Sequence, residues 1–265
     1  MIFDTHAHYD DEAFDADRDK LLQNMWENGV EFIVNVGASI DSTKEAMKLA
    51  KKYSFIYAAI GVHPSETAGL TGEDMEWLKK KAVNPKVVAI GEIGLDYYWP
   101  EPNKDIQKEW FEKQLYLASE VNLPIVVHSR EAAQDTLEIL KSWQKDKTSG
   151  VIHCFSYTKE SAREYLNMDY YFGIGGVITF KNAKKLVEAV SYIPMNRILL
   201  ETDCPYLAPE PYRGKRNQSS YIDYVAQRIS EIKQISKEEV LMQTMQNAKD
   251  FYFSDKRFTL KDKEL

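Results

Sequence analysis

VVAIGEIGLDYYWPEPNKDIQKEWFEKQLYLASEVNLPIVVHSR, residues 87–130, carries a strand, a helix and a second strand in one line. Val87 to Ile93 is an apolar run of strand length, and Ile125 to Val127, just after Pro124, is another. Between them Trp110, Phe111, Leu115, Leu117 and Ala118 recur at helical spacing. Strands separated by a helix are joined by a crossover and lie parallel. The same alternation extends both ways. Upstream are Ile2 to Asp4, Phe32 to Val36 and Ile56 to Val62; downstream are Val151 to Phe155, Tyr170 to Ile174 and Ile198 to Leu200, which makes eight runs. Helix signals lie between them, among them Ser42-Thr43-Lys44-Glu45, which reads as a capping box, while Gly29 and Gly37 punctuate element ends. Eight strand–helix units in 265 residues predict a (β/α)8 TIM barrel, with a doubly wound open sheet as the alternative. No linker, low-complexity run or internal repeat divides the chain. One domain is expected over residues 1–256, followed by a charged tail over 257–265 that frays.

The composition, 44% hydrophobic and 28% charged, is that of a globular protein. A net charge of −7 excludes a protein that coats nucleic acid through its overall field, but leaves room for a local basic pocket. The longest apolar runs are strand-sized, so no membrane association is expected. Met1-Ile2-Phe3-Asp4 has neither a basic nor an apolar leader segment, and the two cysteines, Cys154 and Cys204, cannot build a disulfide framework. Both features lead us to expect a cytoplasmic protein with reduced thiols.

In a barrel the active residues gather at the C-terminal ends of the strands. All five histidines fall there: His6 and His8 after the first strand, His63 after the third, His128 after the fifth and His153 after the sixth. Glu92 ends the fourth strand and Glu201-Thr202-Asp203 the eighth. A lone histidine at a strand end is usually a hydrogen-bonded rim residue, but no structural rule asks for histidine at so many such ends. His6 and His8, two apart, project to the same side of an extended strand. Imidazole with carboxylate suits zinc, magnesium, manganese or a similar divalent ion. One ion needs three or four protein ligands. The six candidates His6, His8, Glu92, His128, His153 and Asp203 therefore predict two ions, and Glu92, between the two histidine groups, is the natural bridge.

Two other features point to a nucleic-acid substrate. Tyr212-Arg213-Gly214-Lys215-Arg216-Asn217 places three cations, Arg213, Lys215 and Arg216, beside the expected mouth of an acidic protein. Tyr97-Tyr98-Trp99 follows the fourth strand, and Tyr98 and Trp99 are candidates to stack on the bases of a single strand, whereas Tyr97 reads equally as packed on the rim. Arg130 is a further phosphate candidate, and Ser129 beside it reads as a helix cap.

The stretches Asp4-Thr5-His6-Ala7-His8, Gly61-Val62-His63-Pro64, Gly91-Glu92-Ile93-Gly94-Leu95-Asp96-Tyr97, Val127-His128-Ser129-Arg130, His153-Cys154-Phe155-Ser156 and Leu200-Glu201-Thr202-Asp203-Cys204-Pro205-Tyr206-Leu207 together resemble the TatD family of metal-dependent deoxyribonucleases. The match runs from residue 2 to about residue 253. The resemblance implies a two-metal hydrolase in a (β/α)8 barrel, with His6, His8 and Asp203 on one ion, His128 and His153 on the other, and Glu92 shared. It implies DNA as the substrate, with cleavage from the 3′ end in some members and other phosphoesters or tRNA esters in a few. Ala7 departs from the family, where cysteine is common, but it lies between the ligands and points to the other face. Asp203 is then the expected general base, with Glu92 beside it in the catalytic set, and His63 is left to contact the substrate phosphate. Two other functions compete: an amidohydrolase acting on a cyclic amide or lactone, and a metal-binding or adaptor protein without catalysis. The first would be expected to lack the cationic run. The second needs no spare base.

Overall fold

The structure is a computed structural model that describes residues 1–143 and 148–253; the expected tail over 257–265 lies outside the described residues. Eight strands, β1 (Ile2–Ala7), β2 (Val30–Val36), β3 (Ile56–Ile60), β4 (Val87–Asp96), β5 (Ile125–Arg130), β6 (Gly150–Ile152), β7 (Tyr171–Ile174) and β8 (Ile198–Leu200), form one sheet in the order of the sequence. Every neighbouring pair is parallel, and a bridge from Ala7 to Cys204 joins the last strand region to the first. The fold is the (β/α)8 barrel. The helices that follow the strands in turn are α1 (Arg18–Gln23), α2 (Ile40–Lys52), α3 (Gly72–Lys81), α4 (Lys104–Val121), α5 (Ala133–Trp143), α6 (Lys159–Leu166), α7 (Lys184–Tyr192) and α8 (Ile222–Lys233), with α9 (Lys237–Tyr252) closing the described chain. None of them is long and apolar enough to cross a membrane.

The strands are buried on both faces, as helix-covered parallel strands must be. In β2, Ile33 packs in the same cluster as Leu22, Ala46 and Leu49 of the neighbouring helices, while Phe32, Val34 and Val36 join a second cluster with Phe3, Tyr57, Val88 and Val126. The chain after α9 packs Phe253 against Phe3, Phe32 and Tyr57 near the N-terminal ends of their strands, with ring centroids 4.7 to 5.9 Å apart. That end is filled with aromatic rings. The histidines are left to the opposite end.

α4 buries Phe111, Leu115, Leu117 and Ala118 as their spacing predicts, whereas Trp110 lies at its margin under the ammonium of Lys113. The expected capping box at Ser42 is displaced. α2 begins three residues earlier, with Ser39 as the cap accepting from the Ser42 N–H, because the Ser42 hydroxyl is drawn instead to Asp10 Oδ2 at 2.6 Å. β4 and β5 each run three residues past their expected ends, to Asp96 and Arg130. The extra pairs Gly94–His128, Leu95–Ser129 and Asp96–Arg130 extend this ladder into the functional end of the barrel.

Candidate metal centre

β1 carries the first two candidate ligands, and its extended backbone turns both the same way, so that His6 Nε2 and His8 Nε2 lie 3.1 Å apart. Only one proton fits between two such nitrogens. With it, one nitrogen donates and the other accepts; without it, two lone pairs face each other and require a cation between them. His8 is oriented from behind: its Nδ1 lies 2.8 Å from the Val36 carbonyl, an acceptor, so Nδ1 carries the proton and Nε2 faces the centre. The buried Nδ1 of His6 has no hydrogen-bond partner.

Glu92, buried in β4, stands between the histidine groups. Its Oε2 faces β1, at 3.3 Å from His6 Nε2 and 3.9 Å from His8 Nε2. Its Oε1 faces β5 and β6, at 2.6 Å from His128 Nδ1 and 3.7 Å from His153 Nε2. Asp203 completes the ring from the far side of the barrel, with Oδ1 3.4 Å from His8 Nε2, 3.8 Å from His6 Nε2 and 3.7 Å from His153 Nε2. Its φ of 58° lies in the left-handed region, which aspartate tolerates better than most residues and which sets the direction of its side chain just after β8. All six expected ligands are thus brought into one cluster.

The electrostatics follow from burying so many ionisable groups together. Burial works against a charged Glu92, yet His153, His6 and His128 around it hold its carboxyl well below the usual range. Burial likewise opposes charge on His8 and His153, but Asp203 and Glu92 raise the first to about 9, and Glu201, Glu92 and Asp203 raise the second to about 10. The carboxylates draw protons onto the rings where no cation sits. A divalent cation would displace those protons. The donor set fits such ions. Convergent imidazole and carboxylate atoms occur in clusters of three within 4.8 Å, including His6, His8 and Asp203, and His63, Glu92 and His128.

His63 joins this neighbourhood edge-on to His128, with ring centroids 4.3 Å apart. Its Nδ1 accepts from the Ser65 N–H at 3.1 Å, which leaves the proton on Nε2. Burial, and then the charge of His128, lower it to about 3, so it is a neutral donor near neutral pH.

The sequence reading left two carboxylates of the cluster without a role. Glu201, buried after β8, accepts from the Cys154 N–H at 2.6 Å and lies 3.1 Å from His153 Nδ1, though poorly aligned with it. A side chain at position 173 would sit 2.1 Å from Glu201 Oε2, so Gly173 makes the room for it. Asp96 approaches the other side of His128, with Oδ2 3.1 Å from Nε2. Each sits two or four positions from a ligand in a motif, and that spacing was the available signal.

The outer residues are more dispersed. Tyr98 and Trp99 are about half exposed, at 49% and 53%, and stand edge to face at 4.8 Å. The Arg130 guanidinium lies 3.8 Å over the Tyr98 ring. Tyr97 is packed on the rim, its hydroxyl on Asp135 at 2.7 Å. Ser129 is a strand residue rather than a helix cap, because β5 runs past it; its hydroxyl meets Thr136 Oγ1 and Tyr157 OH instead. In the loop after β8, Arg213 and Lys215 are exposed, and Arg213 lies over the Phe180 ring. Arg216 is different: it forms a bidentate pair with Asp17, both contacts at 2.7 Å, and donates to the Ala13 carbonyl.

Comparison with known proteins shows what the chain is similar to. Residues 3–253 match the family model described as TatD related DNase. Over 252 residues, the chain is 48% identical to an uncharacterized metal-dependent hydrolase, YabD, of Bacillus subtilis, covering 95% of this chain and 99% of the relative. It is 31% identical over 257 residues to a 3′-5′ ssDNA/RNA exonuclease TatD of Erwinia tasmaniensis, covering 95% and 99% of the two chains. The crystal structure of YJJV, a TatD homolog from Escherichia coli K12, superposes with a TM-score of 0.90 at 29% identity, covering 95% and 98%.

Proposed function

The chain belongs to the TatD-related DNase family and is a metal-dependent hydrolase, and from that premise we propose that it is a two-metal phosphodiesterase that cuts DNA, as a 3′-5′ exonuclease favouring single strands. The observation that carries the two-ion reading is the division of Glu92, whose Oε2 faces His6 and His8 while its Oε1 faces His128 and His153. In this reading His6, His8 and Asp203 hold one ion, His128 and His153 the other, and Glu92 both. Divalent ions there supply Lewis acidity toward a phosphoryl oxygen and toward water at neutral pH.

The chain's own groups do the rest. The Asp203 side chain is 19% exposed, against 1% to 4% for His6, His153 and Glu92, so it is the carboxylate of the cluster that substrate water reaches best. Asp203 takes the proton of the attacking water as the new phosphorus–oxygen bond forms and the bond to the leaving oxygen breaks. His63, protonated at Nε2, donates to a non-bridging phosphoryl oxygen. Exposed Tyr98 and Trp99 offer stacking faces to unpaired bases, and Arg130, Arg213 and Lys215 offer charge to the backbone. Arg216 belongs to the same loop, with its charge shared with Asp17.

The relative named as a 3′-5′ ssDNA/RNA exonuclease supports the substrate and the polarity. Digestion of end-labelled single- and double-stranded DNA with added zinc, magnesium or manganese tests them together. Stepwise loss from the 3′ end, faster on single strands, is the expected result. Turnover confined to a panel of cyclic amides and lactones would overturn it.

A further inference from the structure

His128 is hydrogen-bonded to a carboxylate at each ring nitrogen, with Glu92 Oε1 2.6 Å from Nδ1 and Asp96 Oδ2 3.1 Å from Nε2. Only one nitrogen is free to bind an ion, and the surroundings of the two differ. On the Nδ1 side the other donors gather, since the same Glu92 oxygen is 3.7 Å from His153 Nε2 and the paired oxygen is 3.3 Å from His6 Nε2. On the Nε2 side the hydrogen-bonded carboxylate is Asp96, which joins none of the clustered donor groups among the described residues.

Asp96 is itself held. Its Oδ1 accepts from the Tyr98 N–H at 3.0 Å, its backbone N–H and carbonyl are both bonded to the Gln107 side chain, and the residue is buried where β4 pairs with Arg130 of β5. A carboxylate fixed at both ends and pointed at one ring nitrogen acts as a proton acceptor for that nitrogen. We propose that Asp96 is a positioning residue of the centre, acting through His128. It takes the Nε2–H of His128 and so turns the Nδ1 lone pair toward Glu92 and the ion that His128 and His153 hold. This rests on the two-ion reading for which ion is affected, but the arrangement of His128 stands apart from it. The same residue ties the centre to the rim, because the backbone N–H it accepts belongs to Tyr98, whose ring carries Arg130.

Two measurements on the full-length zinc-loaded protein test this. Long-range proton–nitrogen NMR of labelled histidine, assigned with His128→Gln, is expected to show His128 protonated at Nε2 and bare at Nδ1. Equilibrium dialysis against zinc with Asp96→Asn, which keeps the acceptor for Tyr98, is expected to weaken one zinc site about 10- to 100-fold and leave the other unchanged. A bare Nε2 in the wild type would mean that Nε2 is the ligating atom, and would overturn the proposal, as would unchanged zinc affinity in Asp96→Asn. A wild-type stoichiometry of one zinc per chain would overturn the two-ion reading instead, and the proton on Nε2 would still decide the role of Asp96.

Discussion

Thr202 donates twice to Asp4, from its backbone N–H at 3.1 Å and from its hydroxyl at 2.6 Å, across 198 positions of sequence. Asp4 is fully buried in β1, and Thr202 immediately precedes Asp203, so this pair fastens the seam of the barrel directly beneath the expected base. The Ser219 hydroxyl adds a third bond at 2.7 Å. Burial pushes the Asp4 carboxyl up to about 7, against the pull of these donors. Thr202→Val keeps the shape and removes one donor from the buried carboxylate. It is expected to lower unfolding free energy by about 1–3 kcal/mol, and Thr202→Ser to recover most of that. Equal stability of Thr202→Val and wild type in urea would show that the seam does not depend on this bond.

Asp203→Asn separates binding from chemistry. An amide still offers an oxygen to an ion but does not take the water's proton, so zinc content is expected to fall only in part while the rate of DNA hydrolysis falls about 10²- to 10⁴-fold. Circular dichroism is expected to match wild type. A rate within a factor of a few of wild type would remove Asp203 from the base role.

The cations of the loop after β8 are expected to divide. Arg213→Ala and Lys215→Ala remove exposed charge, and each is expected to flatten the salt dependence of DNA binding by about one unit of slope for each phosphate that is no longer gripped. Turnover of a small chromogenic phosphodiester, which reaches the centre without the loop, is expected to stay near wild type. Unchanged salt slopes in both variants would return these residues to bulk solvent.

Arg216→Ala is expected to act mainly on stability, since its guanidinium is bound to Asp17. That hydrogen bond is the main cause holding the Asp17 carboxyl below its ordinary value, so the pair's contribution is present above the usual aspartate range and is lost as pH falls through the depressed value. The side chains are 33% and 43% exposed, so screening limits the effect to about 0–1 kcal/mol. Urea midpoints of wild type and variant are expected to differ slightly at pH 7 and to converge in acid, below the depressed value of Asp17. A difference that grows in acid would contradict the pairing.

Trp99→Ala is expected to weaken single-stranded DNA binding by about 1–3 kcal/mol if its exposed ring stacks on a base, and to leave the chromogenic substrate untouched. Fluorescence titration with a short oligonucleotide checks it. Equal affinity for both proteins would assign Trp99 to the rim alone.

The barrel was legible in the chain because its signals are local. Apolar runs of strand length alternate with stretches at helical spacing, and a parallel closed sheet follows from the repetition itself. The six expected ligands were legible for a related reason: each falls at or just beyond the end of its strand's apolar run, and a barrel brings all such ends to one face. His6 and His8 needed only the two-residue period of an extended backbone. Element ends were less legible. β4 and β5 extend three residues further than their apolar character because partner strands, not hydrophobicity, maintain the ladder over Gly94–Asp96 and His128–Arg130. That extension turned Ser129 from a cap into a strand residue and delivered Asp96 to His128.

What only the tertiary structure decided is which polar groups face one another. The sequence places Asp96 and His128 in separate motifs 32 residues apart, and Asp17 and Arg216 199 residues apart, with nothing local to pair either set. Directional contacts of about 3 Å depend on strand register and on side-chain direction, which periodicity does not encode. The chain therefore determined by itself that histidines and carboxylates would meet at one end of a barrel. The division of Glu92 between two histidine groups, the proton acceptor behind His128 and the partner that occupies Arg216 were decided by packing, because each requires several strands to be in place at once.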